Sequence, residues 1–403
     1  MRHSTLLGPA IHLIRPIRLI RPIRLAGVLI GTPLMAQAWP TAAPASVGIN
    51  GAVLDSIDRE IKAGTYNSID RFVVIRNGKL VFDRHYAWNY DSIYGDSSKT
   101  RNPLNAHDPT GSYNYFNPWW HPTYRRGDLH SLQSVTKTVT SVIIGVARTR
   151  GDFPSIDTPV LRFFDTTQVK NIDDRKRRMT VRHLLTMSGG IDWNESLPYI
   201  DPGNTAVAME ASFDWVDYTI NRPMAVEPGS RWLYSSGETE LLAHIFRKAT
   251  GMDIEEYGAK YLFAPLGIER WYWKRIPTGL VDTEGGLYLE AKDLARIWNL
   301  WLQNGKVGGK QLISPEWIAE SVKPALRVGP NPGAPSYGFK WWLYQNPTDT
   351  TRFMWGGSGF GGQLPVAIPE KDMVVVFNGW NILPGRGGIP LARTMERILR
   401  ASK

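Results

Sequence analysis

The sequence predicts an α+β protein: an antiparallel sheet built from both chain termini and flanked by helices, with a mostly helical region inserted between them. Three observations carry that expectation. A hairpin signature lies near the start, four strand-like runs lie near the end, and the segments between them keep a helical period.

Taken in order, residues 1–38 carry Arg2, Arg15, Arg18, Arg21 and Arg24 with no acidic residue, then the apolar run Leu25 to Ala36 and the triplet Ala36-Gln37-Ala38. This is the pattern of a signal peptide, so export to the periplasm or the medium and cleavage after Ala38 are expected. The apolar run is too short for a membrane span. Asn50 is placed to cap a helix with Val53, Leu54, Ile57 and Ile61 on one face. Residues 71–76 and 79–84 flank Asn77-Gly78, a dipeptide suited to a type I′ turn because both positions need positive φ. The stretch 88–128 lacks periodicity and holds nine aromatic residues from Trp88 to Tyr124, too many for a disordered loop. It is expected either to wall a binding site or to pack as an insertion on its own surface. Helices are predicted near 134–149, 180–187, 239–250 and 291–303, the last two stopped by Gly251 and by Asn304-Gly305. Strands are predicted at 339–344, 351–355, 363–368 and 373–378, and an amphipathic helix near 389–400. The domain division that follows is 39–151 with 285–403 for the sheet and 152–284 for the helical part.

Composition narrows the chemistry. Of the 403 residues 42% are hydrophobic and 21% charged, which excludes disorder and allows a large core. With no cysteine there is no disulfide, cysteine zinc site or thiol nucleophile. Five of the ten excess positive charges lie in the leader, and Arg175-Lys176-Arg177-Arg178 follows Asp173-Asp174 as a solvated linker, so no nucleic-acid partner is expected. Gly357 to Gly362 matches G-x-G-x-x-G, but a strand-like run follows where a dinucleotide site needs a helix. No phosphate-binding P-loop and no H-E-x-x-H occurs, and neither a metal nor a cofactor is expected.

Ser134-Val135-Thr136-Lys137 opens a helical segment, and residues three apart share a helix face. Ser134 and Lys137 can therefore meet at a helix N-terminus. A serine hydroxyl needs a base, and a lysine whose pKa is lowered by burial could serve. Arg231-Trp232-Leu233-Tyr234-Ser235-Ser236-Gly237 precedes a second amphipathic helix. With these segments the chain resembles the penicillin-recognising serine hydrolases, which include class C β-lactamases, D-alanyl-D-alanine peptidases, family-eight carboxylesterases and 6-aminohexanoate-dimer hydrolases. Residues 182–190 and 291–296 also resemble family stretches, so the likeness runs over roughly residues 50–400. It implies the β-lactamase/transpeptidase-like fold and assigns nucleophile, lysine and tyrosine to Ser134, Lys137 and Tyr234.

The family's third motif, a small-residue strand facing the serine, falls on Trp355-Gly356-Gly357-Ser358. The resemblance places Ser358, or Phe360 in another register, as the strand donor of an oxyanion hole shared with the Ser134 N–H. Trp355 and Gly357 would line the substrate. Trp355 stands where a cation would hold a β-lactam carboxylate, which favours neutral esters or amides. Ser236 replaces the asparagine of the second motif, and Trp193 falls where the nylon-oligomer hydrolases carry a tyrosine. The expectation is an exported serine hydrolase of small esters or amides, of undetermined oligomeric state, acting through an acyl-serine. The alternatives are a β-lactamase or D-alanyl-D-alanine peptidase and, in another class, a non-catalytic penicillin-binding-like receptor.

Overall fold

A computed structural model describes residues 38–100, 104, 111–331, 333–383 and 385–403. The expected leader lies outside the described residues up to Gln37. Asn50 Oδ1 accepts the Ala52 N–H (3.1 Å) and starts the helix Gly51–Lys62. The hairpin forms as Ile69–Arg76 and Lys79–His85, with Asn77 (φ 50°) and Gly78 (φ 66°) both in the left-handed region the turn requires. From this edge an eight-stranded antiparallel sheet continues through Met373–Gly379, Leu364–Ile368, Asp349–Gly356, Trp342–Asn346, Ser336–Tyr337 and Leu326–Arg327. The N-terminal hairpin thus docks beside the last strand, which is how both chain ends come to build one sheet.

Side-chain alternation sends the two faces of this sheet into different cores. Phe72, Val74, Val375 and Phe377 meet Leu54, Ile57, Met395 and Ile398 of the Gly51–Lys62 and Leu391–Arg400 helices, with the Phe72 and Phe377 rings stacked at 4.6 Å. Val73, Ile75, Val374 and Val376 face the opposite way, towards the helices Ala291–Leu302 and Val135–Arg150. That second core continues through Ile143, Phe246, Tyr257 and Phe263 into the 152–284 region. Both the sheet region and the 152–284 region thus contribute to one continuous core.

Two expectations shift in register. The strand predicted at 339–344 begins only at Trp342, because Lys340 sits at φ 61° and the Phe339 and Lys340 N–H groups go to Ser321 and Leu185. The helix expected to 187 ends at Leu185, and Met187 turns out of it at φ 54°. The basic run is a short helix, Asp174–Arg178, capped by Asp173. Lys176 within it is buried, its Nζ held by the carbonyls of Lys170, Ile220 and Arg222, so that residue is not part of a solvated linker. Among the described residues no helix is long and apolar enough to cross a membrane.

The aromatic-rich stretch packs on the body of the protein. Tyr94, Leu104, Tyr115 and Phe116 form a cluster with Trp380 and Ile382, fixed by Tyr94 Oη to Trp380 O (2.8 Å) and Trp380 Nε1 to Tyr115 O (3.2 Å).

Candidate active site

Ser134 stands at the start of the Val135–Arg150 helix, at the end of a tight approach. The Leu132 N–H is bonded to Leu287 O (2.9 Å), Gln133 takes φ 48°, and Gln133 Nε2 reaches back to Ser131 Oγ (2.9 Å). These bonds fix the serine on a bend against the small sheet of His130–Ser131, Leu287–Leu289 and Tyr272–Trp273. Lys137 follows one turn later, and its Nζ lies 3.0 Å from Ser134 Oγ. Tyr234 arrives from the segment before the helix Ser236–Thr250, where Leu233 N bonds Met187 O (2.8 Å) and Ser235 caps the helix through Glu238 N (3.2 Å). The Tyr234 phenol interacts with Ser134, and its ring centroid lies 5.2 Å from Lys137 Nζ.

Electrostatics overturn one expectation. Burial does work to lower the Lys137 pKa, but Tyr234, Glu284 and Glu195 outweigh it and hold the ammonium above its ordinary value. Glu284 supplies two acceptors, its carbonyl at 2.7 Å and its carboxylate at 3.2 Å. Lys137 is thus a fixed cation and not a ready base. Burial raises the Tyr234 phenol, with Lys137 only partly opposing it, so the hydroxyl keeps its proton at neutral pH.

Beside Ser134 a pocket is walled by Leu104, Tyr115, Tyr199, Val207 and Phe360, with Glu210 and Glu284 presenting carboxyl groups to it. Leu104 and Tyr115 belong to the 88–128 stretch, which is therefore part of the substrate wall. Phe360 contributes its ring, edge-on to Tyr199 at 5.0 Å. Ser358 interacts with the Tyr344 phenol and is not part of the pocket lining. Gly357 is buried, its N–H bonded to Pro365 O (2.9 Å), and a Cβ there would come within 3.2 Å of Val135 and Pro365. Trp355 packs against the core and offers its carbonyl to Trp298 Nε1 (3.1 Å), outside the pocket lining.

Ser236 does not face substrate. Its Oγ (2.7 Å) and N–H (2.8 Å) both go to Glu195, because it occupies the first turn of a helix turned inward. Trp193 likewise donates Nε1 to Glu195 (2.8 Å) and lies buried beside Gly237, so it does not take the place of a pocket tyrosine. Tyr199 does, six residues further on, with its hydroxyl bonded to Glu195 at 2.7 Å. Sequence reasoning missed Glu195, Tyr199, Glu210 and Glu284. Pro198-Tyr199 and Glu284-Gly285-Gly286 stand in irregular segments, where their turn residues were the only signal.

A serine on a helix N-terminus, a lysine one turn on and a tyrosine beside both, set between a terminal-strand sheet and a helical region, are the arrangement of an acyl-serine hydrolase of the β-lactamase-related class. The β-lactamase family model matches residues 70–381, and the chain belongs to that family. It is similar to the 6-aminohexanoate-dimer hydrolase of Paenarthrobacter ureafaciens, 26% identical over 275 residues that cover 63% of this chain and 67% of that enzyme. It is also similar to the monacolin J acid methylbutanoyltransferase of Aspergillus terreus, 26% identical over 189 residues, 40% of this chain and 45% of that protein. A solved family VIII carboxylesterase superposes with a TM-score of 0.63 at 16% identity, covering 90% of this chain and 98% of the other, which shows the shared fold.

Proposed function

We propose that this protein hydrolyses small neutral esters or amides through an acyl group on Ser134. The observation that carries the reading is the single hydroxyl of Ser134 placed between the Lys137 ammonium at 3.0 Å and the Tyr234 hydroxyl. Lys137 donates to Oγ, which leaves the serine proton directed at Tyr234. As Oγ attacks the carbonyl carbon, that proton passes to the Tyr234 oxygen while the phenolic proton goes to the departing alkoxide or amine. Water reverses the relay in the second step: it gives a proton to Tyr234 as it attacks the acyl carbon, and Ser134 recovers one. Lys137 stabilises the negative charge that crosses these oxygens.

The Gly357 and Gly359 N–H groups are committed to Pro365 and Gln363. With those two committed, the Ser358 N–H is the strand-side donor assigned beside the Ser134 N–H for the oxyanion. The pocket lining of Leu104, Tyr115, Gln133, Tyr199, Val207 and Phe360 presents no lysine, arginine or histidine to an anionic acyl group, which favours a neutral one. Tyr199 lines the pocket with its hydroxyl donated to Glu195.

The test is a substrate panel of p-nitrophenyl acetate and butyrate, a neutral anilide and a chromogenic cephalosporin, each with wild type and Tyr234→Phe. Esters are expected to turn over fastest, and Tyr234→Phe to lower kcat by about 10³-fold, as the loss of a relay proton predicts. Faster turnover of the cephalosporin than of the esters would instead favour a β-lactamase, the second reading to which the family points.

Export is part of the proposal, resting on the basic and apolar composition of residues 1–38 and the Ala36-Gln37-Ala38 triplet. N-terminal sequencing of protein secreted by an expressing cell is expected to begin at Trp39, and an intact Met1 would refute it.

A further inference from the structure

Beneath the serine lies a line of buried acids that a serine, lysine and tyrosine do not by themselves require. Glu284 receives Lys137 Nζ, and its carboxyl interacts with that of Glu210, which lines the same pocket. Glu210 in turn accepts Tyr115 Oη at 3.1 Å. The line therefore runs without a break from the aromatic-rich wall to the nucleophile. Glu284 is held in place from behind: Glu240 Oε1 accepts the Thr283 (2.7 Å) and Glu284 (2.9 Å) N–H groups, and Asp282 Oδ1 accepts that of Gly285 (2.8 Å).

Glu210 and Glu284 are each 6% exposed. Two buried carboxyl groups facing one another at such a site disfavour double ionisation. Lys137, 1% exposed, needs one counter-charge and no more. Resting on the hydrolase reading above, we propose that Glu210 and Glu284 share one proton and act as a positioning pair, Glu284 holding the Lys137 ammonium against Ser134 and Glu210 working as a neutral acid. Burial and the Glu284 charge push the Glu210 carboxyl well above the usual carboxylate range; burial acts the same way on Glu284, but Lys137 and Glu210 overcome it and keep that carboxyl low. The other titratable groups facing this set are Glu195 and Tyr234 near Lys137, and Glu240, Asp282 and Lys274 behind Glu284.

The experiment measures kcat and KM for p-nitrophenyl butyrate across the pH range, with thermal unfolding, for Glu210→Gln, Glu210→Asp, Glu284→Gln and, in parallel, Ser134→Ala. Glu210→Gln keeps an N–H where the shared proton lay and is expected to lose clearly less kcat than Glu210→Asp, with the shape of its pH profile kept. Glu210→Asp, one methylene short of Glu284, is expected to lose roughly tenfold or more in kcat with KM little changed. Glu284→Gln removes the counter-charge, so Lys137 gives up its proton at lower pH. Its kcat is expected to fall about 100-fold and the alkaline limb of its profile to move down by more than about one pH unit.

Equal losses in Glu210→Gln and Glu210→Asp would show that Glu210 acts as an anion and overturn the proposal, as would an unshifted profile in Glu284→Gln. Infrared difference spectra give a readout that does not depend on turnover: wild type minus Glu210→Gln is expected to contain the carbonyl band of a protonated carboxyl at neutral pH, and its absence overturns the shared proton. Turnover surviving in Ser134→Ala would sink the hydrolase reading itself. An inactive Ser134→Ala beside a fully active Glu284→Gln would sink only the positioning pair.

Discussion

Ser134→Ala is expected to lower kcat by at least about 10⁴-fold, a barrier increase of roughly 5.5 kcal/mol, and to abolish labelling by a fluorophosphonate probe. Among the described residues no other side-chain hydroxyl is hydrogen bonded to Lys137 Nζ. Stability should scarcely change. A serine at a helix start often caps the helix and is worth about 1 kcal/mol there. This one does not: Ser134 has helical backbone angles (φ −60°, ψ −8°) and its hydroxyl makes no capping bond. Its Oγ is used on Lys137 instead. An unfolding midpoint in urea matching wild type, together with lost turnover and lost labelling, is the expected pair of results. Retained labelling would place the nucleophile elsewhere.

The second large effect falls on stability, far from the pocket. Gly145 lies inside the Val135–Arg150 helix, and the Trp317 indole rests directly on its backbone. A Cβ at Gly145 would stand 2.2 Å from Trp317 Nε1 and 2.5 Å from Cδ1. The indole has little room to yield, being 6% exposed and packed against Phe339 at 5.3 Å. Gly145→Ala gains about 1 kcal/mol of helix propensity, yet overpacking costs about 1–3 kcal/mol or more in a dense core. We expect a net loss of about 2 kcal/mol for Gly145→Ala and about 4 kcal/mol for Gly145→Val, read from urea unfolding. Since the same helix carries Ser134 and Lys137, the valine variant should also lose activity, and the companion change Trp317→Phe should restore part of both. Wild-type stability in Gly145→Val would refute the packing argument.

The elements the sequence revealed are those set by short-range rules. Asn77-Gly78 demanded positive φ at two adjacent positions and received it. Asn50 capped its helix, and Gly251 ended another at φ 71°. Ser134 and Lys137 met because a helical turn brings residues three apart onto one face. Where long-range contacts decided, the reading failed. Lys340 left the strand period because its N–H is taken by Leu185, some 150 residues away in the chain, and no local propensity encodes that bond.

The acidic residues make the same point at the site. Glu195, Glu210 and Glu284 stand in separate segments of the sequence and have no periodic pattern. Only folding places Glu195 on Ser236, Glu284 on Lys137 and Glu210 between Glu284 and Tyr115. That assembly reverses the charge state expected for Lys137: burial alone favours a neutral amine, whereas burial beside carboxylates favours the ammonium. By itself the sequence determined the class of fold and brought Ser134 to Lys137, because both follow from periodicity and from residues a turn apart, while the nucleophile role proposed for Ser134 came from the family resemblance. The tertiary structure decided which groups surround that nucleophile, and so whether its lysine serves as a base or as a fixed cation, since a pKa depends on the charges and solvent within a few ångströms, whatever their separation along the chain.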